Sequence, residues 1–220
     1  MCNKNKIAIK TLSSFLLMVF LGISTYAEES NKITFDQYQV GKTPPDFGTA
    51  LTGSGEPISW IVQEDPSAPS RKTLTQTSQD DTDYRFPLCV YKRFSAKDLD
   101  VSVQFKTVSG KVDQAAGIVV RFLDKDNYYV VRANALEDNI NLYKVVNGKR
   151  IQFAGKGVKV SSGIWHKMEL KVKGSQFEVL FDDRPLFKAA NDAIKDPGEI
   201  GFWTKADSVT SFDSLSFRSE

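Results

Sequence analysis

The chain has 220 residues, 29 basic and 27 acidic, with one histidine and two cysteines. A multi-histidine zinc centre is excluded, and a Ser-His-Asp triad would have to rest on His166 alone. The small basic excess belongs to the first 27 residues, which hold three lysines and no acid. The rest carries 26 basic and 27 acidic residues, which removes the electrostatic basis for binding nucleic acid.

Lys4, Lys6 and Lys10 precede an apolar run from Thr11 to Ile23 that is too short to span a bilayer comfortably, and Thr25-Tyr26-Ala27 ends in a small residue. This pattern predicts a secretory signal peptide over 1–27, cleaved after Ala27, and an exported, periplasmic or extracellular product with no membrane attachment after cleavage; an uncleaved N-terminal anchor is the alternative. Cys2 lies ahead of the apolar run, so it is not placed as a lipoprotein cysteine. Cleavage would leave Cys89 as the one cysteine, within the apolar run Phe86–Tyr91, where a buried and inert thiol is expected.

Residues 28–220 amount to about one domain. After a polar lead-in, Ile33 to Tyr38 reads as a strand, and Gly41 to Pro57 as turn-rich chain unsuited to helix or a central strand. Strands are predicted at Ser59–Gln63 and Thr73–Thr77, then at Tyr84–Phe94 with a break near Pro87. Leu99–Thr107 alternates cleanly, with Val101, Val103 and Phe105 on one face. Ala115–Leu123, Tyr128–Ala135 and Ile140–Val146 come next, and Asn147-Gly148 signals a two-residue hairpin leading into Arg150–Ala154. Ile164–Lys173 turns Met168, Leu170 and Val172 inward. Gln176–Phe181, Pro185–Lys188, Glu199–Thr204 and Val209–Phe217 complete the strands, with a short helical turn at Ala189–Ile194. Many short strands with almost no helix predict an antiparallel β-sandwich or barrel.

The alternation in the central strands separates two faces. Tyr129, Val131 and Ala133 are expected between the sheets, with Ile118, Val120 and Phe122. Arg121, Tyr128, Arg132, Asn134, Asn141 and Tyr143 are expected on the opposite face. Those polar and aromatic types suit a sugar, which needs flat apolar surface and fixed hydrogen-bond groups. They suit equally a solvated sheet face of cross-strand pairs. Arg121 and Arg132 on adjacent strands call for an acidic ligand group or a carboxylate such as Glu137 or Asp138. Trp203 with Lys205 forms a second candidate surface, with a core role as its alternative. His166 shares parity with Met168 and Leu170, which predicts a core histidine. Gly53-Ser-Gly55 is not a phosphate loop, since no Gly-Lys-Ser/Thr comes after it.

Several of these stretches resemble a known group. Gly117-Ile-Val-Val-Arg121, Asp126-Asn-Tyr-Tyr-Val-Val-Arg132, Leu142-Tyr143 and Asn147-Gly148 are similar to bacterial secreted 3-keto-disaccharide hydrolase-like domains. So are Trp165-His-Lys-Met168, Phe181-Asp-Asp183, Gly198-Glu-Ile-Gly-Phe-Trp-Thr204 and Phe212-Asp213. These domains belong to the concanavalin A-like, laminin G-like jelly-roll superfamily. The resemblance implies two sheets face to face, one of them concave, with glycans commonly lying across the concavity. It also implies calcium as an optional ligand, for which Asp36 and Asp213 are the candidates. The laminarinase-like branch carries Glu-x-Asp-x-x-Glu on one strand, and that spacing is absent here. The resulting expectation is a carbohydrate-recognition domain. A hydrolase or lyase acting on a 3-keto glycoside, and an adhesion domain with a protein partner, are the alternatives.

Overall fold

The computed structural model describes Met1 and residues 30–220; the signal segment, Cys2 and the junction after Ala27 lie outside the described residues. Period-two alternation dictates a layered architecture, because each strand has one face to bury. The strands are β1 (Asn31–Ile33), β2 (Phe47–Gly53), β3 (Trp60–Glu64), β4 (Lys72–Gln76), β5 (Arg85–Ala96), β6 (Leu99–Ser109), β7 (Ala115–Asp124) and β8 (Asn127–Asn134). They continue as β9 (Asn139–Val146), β10 (Lys149–Gly157), β11 (His166–Lys173), β12 (Gln176–Phe181), β13 (Arg184–Ala190), β14 (Gly198–Trp203) and β15 (Val209–Ser219). No helix occurs among the described residues.

One sheet has the order β13-β12-β11-β6-β15-β4-β3, with β1 added to β15. The other has the order β10-β9-β8-β7-β14-β5-β2, and every pairing is antiparallel. The sheets share an interior lined by Val101, Val103, Phe105, Met168, Leu170 and Phe177 from one side and by Ile118, Val120, Tyr129, Val131, Ile140 and Phe202 from the other. Register explains the fit: Met168 stands between Val103 and Phe181 in one row, and Leu170 between Val101 and Val179 in the next.

Cys89 lies in this interior, and burial pushes its thiol pKa well up, so it is unreactive. His166 packs on Phe105 and Phe181, and its two ring nitrogens meet Asp182 at 2.9 Å and the Ser161 carbonyl at 3.1 Å.

Four local expectations change. The first strand stops at Ile33, yet Phe35 still reaches the core from the next turn. The segment from Gly41 to Pro57 contains β2, an edge strand, where the surrounding prolines and glycines cost no central ladder bonds. β5 runs unbroken through Pro87, whose carbonyl accepts from the Thr204 amide at 3.0 Å. The helical turn at Ala189–Ile194 is absent: β13 extends to Ala190, and the Asn191 side chain then accepts from the Ala193 amide at 3.1 Å and from the Tyr129 hydroxyl at 2.9 Å.

The largest departure is at Arg121. This residue takes φ 48°, and the pairing of β7 with β8 slips between Val120 and Asp124. Arg121, Phe122 and Leu123 of β7 stand against Tyr128 alone in β8, and a bulge of this kind breaks the period-two alternation. Ile118 and Val120 face the interior as expected, but Phe122 emerges on the outer face beside Tyr128. Arg121 leaves the strand face altogether. Its guanidinium donates to the carbonyls of Lys97 (2.9 Å), Ile194 (2.8 Å) and Gly174 (2.6 Å). It is a buried tie between loops, which corrects its expected place on the polar face.

Candidate functional site

The outer face of the seven-stranded sheet is not the solvated surface that alternation alone implies. It buries a second apolar cluster of Phe86, Leu88, Val90, Val119, Tyr128, Val130, Tyr143, Val145 and Trp203. The cover comes from the β9–β10 hairpin, whose turn residues Asn147 and Gly148 both take positive φ. Tyr84, just before β5, reaches across to it: its hydroxyl donates to the Gly148 carbonyl at 2.9 Å and accepts from the Arg150 amide at 2.8 Å. The hairpin is thereby fastened to strands far from it in sheet order. Arg150 is the lid, with its guanidinium carbon 4.5 Å from the centre of the Phe86 ring, 4.7 Å from Tyr143 and 5.6 Å from Trp203.

Beside this lid lies a pocket of about 580 Å³. β8 supplies Arg132, β9 supplies Asn141 and Tyr143, and β10 supplies Arg150, Gln152 and Gly155. The β8–β9 turn adds Glu137, the first residue of β9 is Asn139, and Lys205 enters from just beyond β14. Four expected residues thus meet here: Arg132, Asn141, Tyr143 and Lys205. Tyr128 and Trp203 do not line the pocket. They form its buried foundation, where the Trp203 indole donates to the Tyr128 hydroxyl at 3.3 Å and that hydroxyl also bonds Thr52 at 2.9 Å. Asn134 is likewise buried. It accepts from the Leu136 amide at 2.9 Å and donates to Asp113 at 2.8 Å, which shapes the turn carrying Glu137.

The charges are arranged in pairs. Arg132 donates to Glu137 and to the Asn139 side-chain oxygen, each at 2.7 Å. Partial burial would push the Glu137 carboxyl up, but the bonds from Arg132 and Asn139 outweigh it and hold the group below its usual value. Lys205 bridges Asp83 at 2.5 Å and Asp113 at 3.0 Å. Burial pulls the pKa of this lysine down, but the two carboxylates outweigh it and the net shift is upward. Burial pushes the Asp113 carboxyl up, with Lys205 and Arg132 opposing. Asn141 donates to the Tyr143 hydroxyl at 3.1 Å. The pocket therefore presents amides, a phenol and guanidinium groups, with few apolar atoms.

Behind Lys205, Asp207 accepts from the amides of Lys111 (2.6 Å), Val112 (3.1 Å) and Asp113 (3.0 Å). Burial raises its carboxyl, but those three donors win and the net shift is downward. A depressed folded value adds stability above the ordinary value of 3.8 and gives it up as pH falls through the folded value. Asp207→Asn at neutral pH is expected to speed amide exchange at Lys111–Asp113, with a local loss of about 1–3 kcal/mol. Unchanged exchange there would contradict this role.

The expected calcium candidates sit apart in their bonding. Asp213 is fully buried and accepts from the Ser70 amide (2.9 Å) and hydroxyl (2.7 Å), whereas Asp36 is exposed and bonded by Thr34. No group of three or more His, Cys, Asp or Glu residues able to hold a metal occurs among the described residues.

Arg150, Gln152, Gly155 and Asn139 were not singled out by the alternation of the central strands. The signal was available: a two-residue Asn147-Gly148 turn pairs Val145 with Arg150 and Tyr143 with Gln152, which puts both on the pocket face.

No family model matches the sequence, and no curated protein matches it. Solved structures do. The carbohydrate-binding module CBM66 from Bacillus subtilis shares 18% identity, over 78% of this chain and 96% of that one, with a TM-score of 0.61. The exoplasmic/lumenal domain of VIP36 in its Ca2+/Man-bound form shares 11%, over 86% and 89%, at 0.58. A β-glucanase from Bacillus licheniformis shares 9%, over 88% and 100%, also at 0.58. The chain shares with these structures a jelly-roll fold of two antiparallel sheets packed as a sandwich.

Proposed function

We propose that this is an exported carbohydrate-recognition domain whose ligand occupies the pocket on β8–β10. The observation that carries the reading is the convergence of Asn141, Gln152, Asn139 and Arg132 around Tyr143 in one open pocket on the outer sheet face. Side-chain amides and guanidinium groups at fixed positions are what sugar hydroxyls pair with. The structural likeness to a carbohydrate-binding module supports it at the level of fold.

Gly155 gives a sharp test. A Cβ built there falls 1.9 Å from the Asn141 side-chain oxygen, and the two residues are directly paired across β9 and β10. Gly155→Ala must push Asn141 out of position. The expected result on a glycan array is specific binding by residues 28–220, weakened by about ten-fold or more in Gly155→Ala and in Asn141→Ala. Absence of any glycan binding, or binding indifferent to both substitutions, overturns the reading. Release of sugar from a 3-keto-disaccharide would move it to the hydrolase or lyase alternative.

A further inference from the structure

We infer that the pocket selects acidic saccharides, with Arg150 receiving the carboxylate of a hexuronate residue. This rests on the glycan-binding reading and names the ligand class within it.

Charge around the pocket is paired except at one arginine and one rim lysine. Each carboxylate there already has a cation. Glu137 is paired with Arg132, Asp138 with Lys159 at 3.0 Å, and Asp83 and Asp113 with Lys205. Arg150 has none: among the described residues no carboxylate lies within 4.0 Å of its guanidinium, and its side chain makes no hydrogen bond. Its Nη1 is buried with no partner. Lys156 at the rim also lacks a carboxylate among the described residues and reaches only the Leu186 carbonyl, at 3.4 Å.

An arginine used only as an aromatic cover would be expected to keep its nitrogens in water or on carbonyls. Arg121 and Arg85 show how this chain satisfies a buried arginine, each with several backbone carbonyls. Arg150 instead lies over three rings, and no group among the described residues takes its side-chain N–H groups. Burial lowers its pKa, with Tyr143 and Asp113 opposing and Arg132 adding to the fall, and a bound anion would favour its charged form. A planar fork suits a carboxylate in bidentate geometry. The neighbouring Asn141, Gln152 and Asn139 suit hydroxyls on the same ring.

The test is calorimetry on residues 28–220 with an oligogalacturonate, an oligomannuronate, the carboxyl-reduced neutral form of each, and a sulfated oligosaccharide of equal length. At least one uronate is expected to bind about ten-fold or more tighter than its reduced form, with affinity falling as salt rises. Arg150→Gln is expected to erase that preference, so that the uronate and its reduced form bind alike. Equal binding of uronate and reduced form overturns the inference and leaves glycan recognition standing. Tighter binding of the sulfated probe overturns the choice of carboxylate. Binding of none of the probes, together with a blank glycan array, sinks both readings. Should Arg150→Gln fail to fold, Arg150→Lys keeps the charge and loses the fork. An intermediate preference supports the inference, and a full preference overturns the bidentate contact.

Discussion

Arg121→Ala is expected to lower the free energy of unfolding by about 3–5 kcal/mol while leaving the pocket's ligand affinity unchanged. The side chain is 1% exposed and holds three carbonyls from three separate segments, at Lys97, Gly174 and Ile194. Removing it strands those acceptors where water does not replace the donor, and it releases Asp98 from a 3.4 Å contact. Arg121→Lys is expected to recover little, since an ammonium on a flexible stem cannot reach three divergent acceptors at once. Urea unfolding of the three proteins measures this directly. A loss below about 1 kcal/mol, or a loss of ligand binding with stability intact, would restore Arg121 to the ligand surface and refute its role as a tie.

Trp203→Ala is expected to cost a similar amount, about 3–5 kcal/mol, but to abolish ligand binding as well. Trp203 is fully buried, stacked on Phe86 at 5.1 Å, and forms part of the surface on which Arg150 rests. Its removal opens a cavity under the lid and also loosens the position of the guanidinium. Trp203→Phe keeps a ring and loses the indole bond to Tyr128, so a loss of about 1–2 kcal/mol with binding largely kept is the expected contrast. A tryptophan serving as an exposed stacking platform would behave in the opposite way: its alanine variant would fold normally and lose only affinity.

Arg121 and Trp203 mark where sequence patterning was sufficient and where it was not. Alternation identified the interior faces of β6, β8 and β11 because each is a regular strand with one buried side, and the residues named there do line the core. It failed at Arg121, since a bulge leaves no mark in residue types and breaks the alternation within its own strand. It also misjudged the outer face. Tyr128 and Val130 were rightly opposite Tyr129 and Val131, yet a face turned away from one core can belong to another. That second core exists because a hairpin folds back over it, a long-range contact between Tyr84 and Gly148 that no local pattern contains. In the pocket, Arg132, Asn141 and Tyr143 were legible because they share strand parity. Arg150 required the register of the hairpin to be counted through its turn.

The doubled use of the β9–β10 hairpin has a consequence for how this chain can change. The same residues that line the pocket also seal apolar surface, so changes to the pocket and to folding are not independent at these positions. A substitution at Arg150 or Tyr143 that alters what is bound also alters how firmly the hairpin is held on Phe86 and Trp203. Variants selected for a new ligand should therefore carry second changes at Tyr84, Phe86 or Trp203, in residues that touch no ligand. The outer face of the eight-stranded sheet, with its paired surface charges, lies outside this coupling and is free to drift.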